Sequence, residues 1–167
     1  ITIIDSAQIA NSNSAYLMDL LRNTPGINLT QQGAPGALAN IYLRGSAPGH
    51  TLILIDNVEA NMTNDPAGTY DFSYLPVDNI ERIEILRGPQ STLYGSSALA
   101  GVINIISKKG TGNTNFFLSG EGGSYNSYKG AAGINGAHNF LNYSLSVSRS
   151  KTDGFSSAAE KYGNTEA

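Results

Sequence analysis

Cysteine is absent from the 167 residues, which excludes a disulfide framework and thiolate-bound metal. Charge is scarce: Asp, Glu, Lys and Arg make up 14% of the chain, and the formal net charge is −3 with no basic block. A nucleic-acid phosphate backbone is therefore not an expected partner. Long apolar runs are missing too. Runs such as LILI at 52–55 fall far short of the ~20 residues of a transmembrane helix. The only histidines are His50 and His138, both in predicted turns and without metal-ligand spacing. There is no G-x-S-x-G elbow, and GPQSTLYGSS lacks the Lys-Ser/Thr of a phosphate-binding loop. No catalytic residue, cofactor or metal site is read from the chain, and a non-enzyme is expected. The sequence opens at Ile1 without a signal-peptide pattern and reads as an internal segment of a longer, processed protein.

What is there points to strands and turns. Apolar residues make up 40%, Gly accounts for 19 positions, and Ser, Asn and Thr are plentiful, too apolar a mixture for disorder. ITIID (1–5) reads as a short strand. Ser14 is the expected N-cap of a helix whose Leu17, Leu20 and Leu21 share one face, with Pro25-Gly26 ending it. A short strand at 27–30 precedes QQGAPGALAN (31–40), a loop by composition. IYLRG (41–45), TLILIDNV (51–58), 78–86 and 102–107 read as further strands, with a long polar loop over 59–75. Within that loop, Glu59, Asn61, Asn64 and Asp65 could serve a Ca²⁺ ion, but the EF-hand pattern is missing and a solvated loop explains them as well.

After Lys109 the chain alternates. In LNYSLSVSRS, Leu141, Tyr143, Leu145 and Val147 share one face, and Asn142, Ser144, Ser146, Ser148 and Ser150 the other. FFLSGEGG (116–123) and SYKGAAGI (127–134) alternate more weakly, and NGAHN (135–139) reads as a tight turn into the third run. On pattern alone, transmembrane β-barrel strands and a soluble meander fit equally.

Three blocks narrow the choice: AYLMDLLRNTPGINL, IYLRGSAPGHTLILIDNVEAN, and IERIEILRGPQSTLYGSSALAGVINIISKK, the last preceded by FSYLP. In this order and spacing they resemble the plug domain of TonB-dependent outer-membrane receptors. The resemblance implies an α+β plug over 1–109, with a four-stranded mixed sheet, short helices and long loops. The first β-strands of a transmembrane β-barrel, about three, would follow over 110–167. It implies a plug inside the barrel lumen of a Gram-negative outer membrane, gating uptake of a scarce nutrient. The ligand is extracellular, and TonB acts through a segment upstream of this chain. SAPGHTLILIDNV and GGSYNSYKG most resemble cobalamin receptors, while ferric-siderophore receptors share most of the features.

The resemblance places loops 31–40 and 59–73 at the ligand side, which nominates Gln31, Gln32, Asn40, Asn61, Asn64, Asp65 and Tyr70 for ligand contact. It makes Arg44 and Arg87 a pair that meets barrel-wall carboxylates. Gly88, Pro89 and Gly95 would lie at the same plug–barrel contact, where small residues allow close backbone approach. Without the resemblance, both arginines read as solvated strand ends. The alternative to a transporter is a soluble plug-like adhesion or signalling module. Apart from its barrel, the terminal ribbon is expected to be disordered, folded back, or self-associated through its open edges.

Overall fold

In a computed structural model the described residues are 1–33, 36–110, 112–138 and 140–153. They form two compact units, Ile1–Lys108 and Lys109–Ala167.

The first unit is built on a mixed sheet. Its strands are β1 (Thr2–Ile4), β4 (Thr51–Ile55), β5 (Val58–Glu59), β6 (Ile80–Arg87) and β7 (Gly101–Ser107), in the order β1-β6-β7-β4-β5. The β4–β7 pair is parallel and the others are antiparallel. Strand β7 (GVINIIS) is central, and six of its seven residues are buried, as a strand covered on both faces requires. Ile53, Ile83, Ile85, Ile103 and Ile105 face one core, with Leu17, Leu20 and Leu21 of helix α2 (Leu17–Arg22). A separate hairpin, β2 (Ile27–Gln31) with β3 (Ala39–Leu43), adds Ile27, Ile41 and Leu43 to that core. Leu52, Leu54, Val102 and Ala98 form a smaller cluster.

The observed sheet has five strands where four were expected, because TLILIDNV does not run straight. Asp56 and Asn57 have φ of 50° and 67°, the left-handed pair of a type I′ hairpin turn. The Asp56 carboxylate accepts the Ser107 N–H at 2.9 Å and the Ser107 hydroxyl. Buried Asn104 is satisfied by Asn57 and Glu84. These contacts fold the turn against β7 and make the two-residue β5.

The helices also differ from the expectation. Ser14 is not a cap: α2 starts after Tyr16, with no side-chain cap. The Leu17 N–H instead donates to the Leu75 carbonyl at 2.8 Å, so a distant segment satisfies the orphan donor. An additional helix, α1 (Ser6–Asn11), follows Asp5, whose side chain and that of Gln8 form a reciprocal capping box. It buries only Ile9, too little to give a periodic signal. A third short helix, α3, covers Ser91–Tyr94.

The second unit is a three-stranded antiparallel ribbon ordered β10-β9-β8, comprising β8 (Asn115–Gly123), β9 (Ser127–His138) and β10 (Leu141–Lys151). The turn expected over 135–139 is strand as far as His138, with Asn135 paired to both Asn115 and Ser144. Gly136 serves a different need: a Cβ there would meet the ring of Tyr143 at 2.9 Å. Register places Phe116, Leu118, Ala132, Ile134, Leu145 and Val147 on one face, and Leu118 is 86% exposed. The other face carries Ser119, Ser144, Ser146 and Ser148, together with Phe117 across Gly133 and the Glu121–Lys129 pair.

Gly101 has φ +150°, and a Cβ there would run into the Leu86 carbonyl and lie 2.6 Å from the Leu43 side chain. Gly101→Ala is expected to destabilise the first unit by roughly 1–3 kcal/mol, the range for overpacking. The cost should appear as a lower urea midpoint at unchanged slope. An unchanged midpoint would show that the start of β7 is not held this closely.

Candidate functional site

Two connections border the candidate site: 32–38, between β2 and β3, and 60–79, between β5 and β6. Gln31 belongs to β2, paired with Ala39, and Asn40 belongs to β3, paired with Thr30. Asn40 is only 8% exposed, so this nominated ligand residue lies in the strand interior. Gln32 is exposed, and its N–H closes the hairpin on the Leu38 carbonyl at 3.0 Å.

In the second loop, polar side chains mainly hold the main chain. The Asn61 amide accepts from the Ile53 N–H at 2.7 Å and donates to the carbonyls of Thr51 (3.2 Å) and Gly68 (2.7 Å). Asp65 accepts from the Thr69 hydroxyl and from the N–H groups of Ala67 and Thr69, each at 3.0 Å. The Thr69 hydroxyl, followed by those two N–H groups, holds the Asp65 carboxyl below the ordinary aspartate value. Of the four side chains considered for Ca²⁺, Asn61 and Asp65 thus already give their oxygens to the loop. Among the described residues no group of three His, Cys, Asp or Glu side chains is placed to hold a metal. Asn64 is exposed at the loop surface. The loop also closes tightly on the 3-10 turn Pro48–His50, where a Cβ on Gly49 would overlap the Ala67 carbonyl.

A cavity of about 300 Å³ is lined by Met62, Tyr70, Asp71, Ser73, Tyr74 and Leu75. Tyr70 stacks edge-on against buried Phe72, with ring centroids 4.8 Å apart. Burial, then the neighbouring Asp71 charge, pushes the Tyr70 hydroxyl up. Asp71 bridges the two loops: its carboxylate accepts the Ala39 N–H at 3.1 Å and the Ser73 N–H at 3.0 Å. Burial alone would raise this carboxyl, but the donors outweigh it and the group is held low. The Tyr74 ring lies on Gly36, where a Cβ would come within 3.0 Å of Cζ, and joins the loops a second time. Of the seven nominated ligand residues, only Tyr70 lines this cavity. The sequence reading missed Met62, Asp71 and Tyr74. The alternation of Tyr70, Phe72 and Tyr74 was the available signal.

The proposed plug–barrel residues gather elsewhere. Arg87 ends β6 and donates to the Pro25 carbonyl at 2.7 Å and to the Thr2 hydroxyl. Arg44 follows β3 with φ 52° and is exposed, and its N–H donates to the Gly26 carbonyl at 2.9 Å. Both arginines therefore meet one turn, Pro25-Gly26. Gly88 (φ 104°) donates to the Ala100 carbonyl at 2.9 Å. Pro89 is exposed, and Gly95 (φ 84°) ends α3.

Comparison with known proteins agrees with this architecture. The family described as TonB-dependent Receptor Plug Domain matches residues 1–102. The ferric yersiniabactin uptake receptor of Yersinia pestis superposes with a TM-score of 0.72 at 24% identity, over 89% of this chain and 23% of that one, a likeness of fold. A mutant ferric enterobactin receptor of Pseudomonas aeruginosa, in complex with enterobactin, gives 0.69 at 32% identity, over 90% and 24%. The siderophore receptor PirA of Acinetobacter baumannii gives 0.67 at 32%, over 90% and 24%. The chain thus spans about a quarter of each receptor, and the strands of its second unit resemble the start of a receptor barrel. With more than half of its length matched, the chain belongs to the TonB-dependent receptor plug domain family.

Proposed function

We propose that the chain is the plug and the first barrel strands of an outer-membrane receptor that takes up a ferric siderophore with energy from TonB. The observation that carries this reading is a plug-family fold followed by a ribbon with one exposed apolar face and one mainly polar face, rich in Ser. Such a ribbon suits lipid on one side and a wet lumen on the other. The plug–ribbon boundary near residue 109 belongs to this proposal. TonB would engage a segment upstream of this chain, and the role is transport rather than catalysis. Ferric siderophores are favoured because the receptors described above are named for yersiniabactin, enterobactin or siderophores. Cobalamin is the second reading, resting on SAPGHTLILIDNV and GGSYNSYKG.

The ligand would rest on the joined loops, against Tyr70, Tyr74 and Met62, with Gln32 exposed in the first loop and Asn64 in the second. Asn61 and Asp65 would act by shaping the loop. In the plug–barrel contact, Arg44, Pro89 and Gly95 offer exposed surface. Arg87 would contribute through the Pro25-Gly26 turn it already holds.

Titration of the intact receptor with ferric siderophores and with cobalamin separates the two ligand readings. Tight binding of cobalamin alone would overturn the siderophore assignment. Tyr70→Ala with Tyr74→Ala is expected to weaken binding about tenfold or more, since an aromatic contact contributes roughly 0.5–1.5 kcal/mol beyond its area. Unchanged affinity would remove the cavity from the site.

Asn61→Ala is expected to loosen the loop by roughly 1–3 kcal/mol, because it strands backbone groups. Faster amide exchange at Ile53 would report it, and Asn64→Ala should leave that amide alone. Both Asp65 and Asp71 have lowered folded-state values. Their stabilisation is therefore complete above the ordinary value of 3.8 and is lost as pH falls through the lower folded value. Loop amide shifts should stay constant down to that ordinary value. A transition well above it would contradict the assignment.

A further inference from the structure

The apolar face of the ribbon does not end in more apolar side chains. Along β10, the row Leu141, Tyr143, Leu145, Val147 continues into Arg149 and Lys151. Cross-strand register sets Arg149 beside Gly130 and Lys151 beside Tyr128, with Gly120 and Gly122 next in the same rows. Gly120 and Gly130 have open space where a Cβ would stand. The three glycines thus leave a shelf walled by Tyr128, Arg149 and Lys151. The result is an open cavity of about 700 Å³, bordered as well by Glu121 and Lys129. Glu121 and Lys129 are direct register partners and belong by alternation to the opposite face. Among the described residues, Asp153, two positions beyond Lys151, accepts the Asn126 amide at 3.1 Å. On the shelf's own face the charged lining side chains are Arg149 and Lys151.

We propose that this shelf binds the phosphorylated headgroup of a membrane lipid. The inference rests on the membrane-strand reading above and deepens it. Arg149 lies eight residues beyond Leu141, ~27 Å along the strand and ~20 Å along the membrane normal at ordinary barrel tilt. That is close to the ~25 Å height of an outward apolar band, so the two cations come to the headgroup level. Arg149 offers a planar fork for phosphate oxygens and Lys151 a point charge. Tyr128 adds the ring favoured at the interface, its hydroxyl donating to Asn126 Oδ1 at 2.6 Å. The acyl chains would continue down over Ala132, Ile134, Leu145 and Val147.

Cosedimentation of the 167-residue chain with phosphatidylcholine vesicles, and with vesicles containing 30% phosphatidylglycerol, tests the proposal. The chain is expected to bind both, and the anionic vesicles more tightly. Arg149→Gln with Lys151→Gln should remove about 30-fold of that preference, the contribution of two cations at roughly 1 kcal/mol each near an anionic surface. It should leave binding to phosphatidylcholine unchanged. Arg22→Gln with Lys109→Gln, exposed cations outside the ribbon strands, should keep the preference. If the Arg149/Lys151 double variant keeps it in full, the headgroup site is wrong while the membrane reading stands. If the chain binds neither vesicle, the membrane reading fails and the site fails with it.

Discussion

The parallel pairing of β4 with β7 sets the terms for the first unit. Parallel neighbours cannot be joined by a tight turn, so the chain leaving Ile55 must travel before it returns at Gly101. The crossover is spent on β5, the loop over 60–79, strand β6 and the short helices before β7. The candidate site is thus a by-product of topology. A compact crossover helix would have left no loop to meet the β2–β3 hairpin. The irregular route instead brings Asp71 under the Ala39 N–H and Tyr74 over Gly36.

Much of the fold could be read from the residues because the strongest strands are dense in β-branched side chains. GVINIIS and TLILI are buried almost throughout, and apolar runs of that kind bounded by turn residues have few other readings. What escaped was decided by hydrogen bonds. Asp56-Asn57 turned because Ser107 and Asn104 hold it, contacts that lie about fifty positions away in sequence. Helix α2 begins where Leu75 supplies an acceptor, so a local cap could not locate it. Helix α1 carried a local capping box but almost no apolar stripe, and periodicity could not register it.

The candidate site divides in the same way. The two segments were legible as loops because Gly, Asn and Asp cluster there, and the resemblance nominated them for ligand contact. The division of labour among the side chains was not legible. Asn61 and Asp65 look available to a ligand in a linear sequence, yet a long loop must satisfy its own backbone first. Asn61 alone serves three main-chain groups. Beside Asp71, which also holds main-chain N–H groups, the cavity is lined largely by Met62, Tyr70 and Tyr74, which have little hydrogen bonding to give the loop. In the ribbon, glycine followed a similar logic. Gly133 and Gly136 sit in mid-strand because the rings of Phe117 and Tyr143 lie across them, whereas composition suggested a turn at Gly136.

The Pro25-Gly26 turn bears on the order in which the chain can be assembled. Arg87 reaches back 62 positions to Pro25 and 85 to Thr2, and among the described residues β1 pairs with β6 alone. β1 can take its place only once Ile83, Glu84 and Ile85 of β6 are there to pair with it. Such distant closures raise contact order and slow folding. Within the first unit, β1 is thus held in the sheet only by residues roughly eighty positions further along the chain.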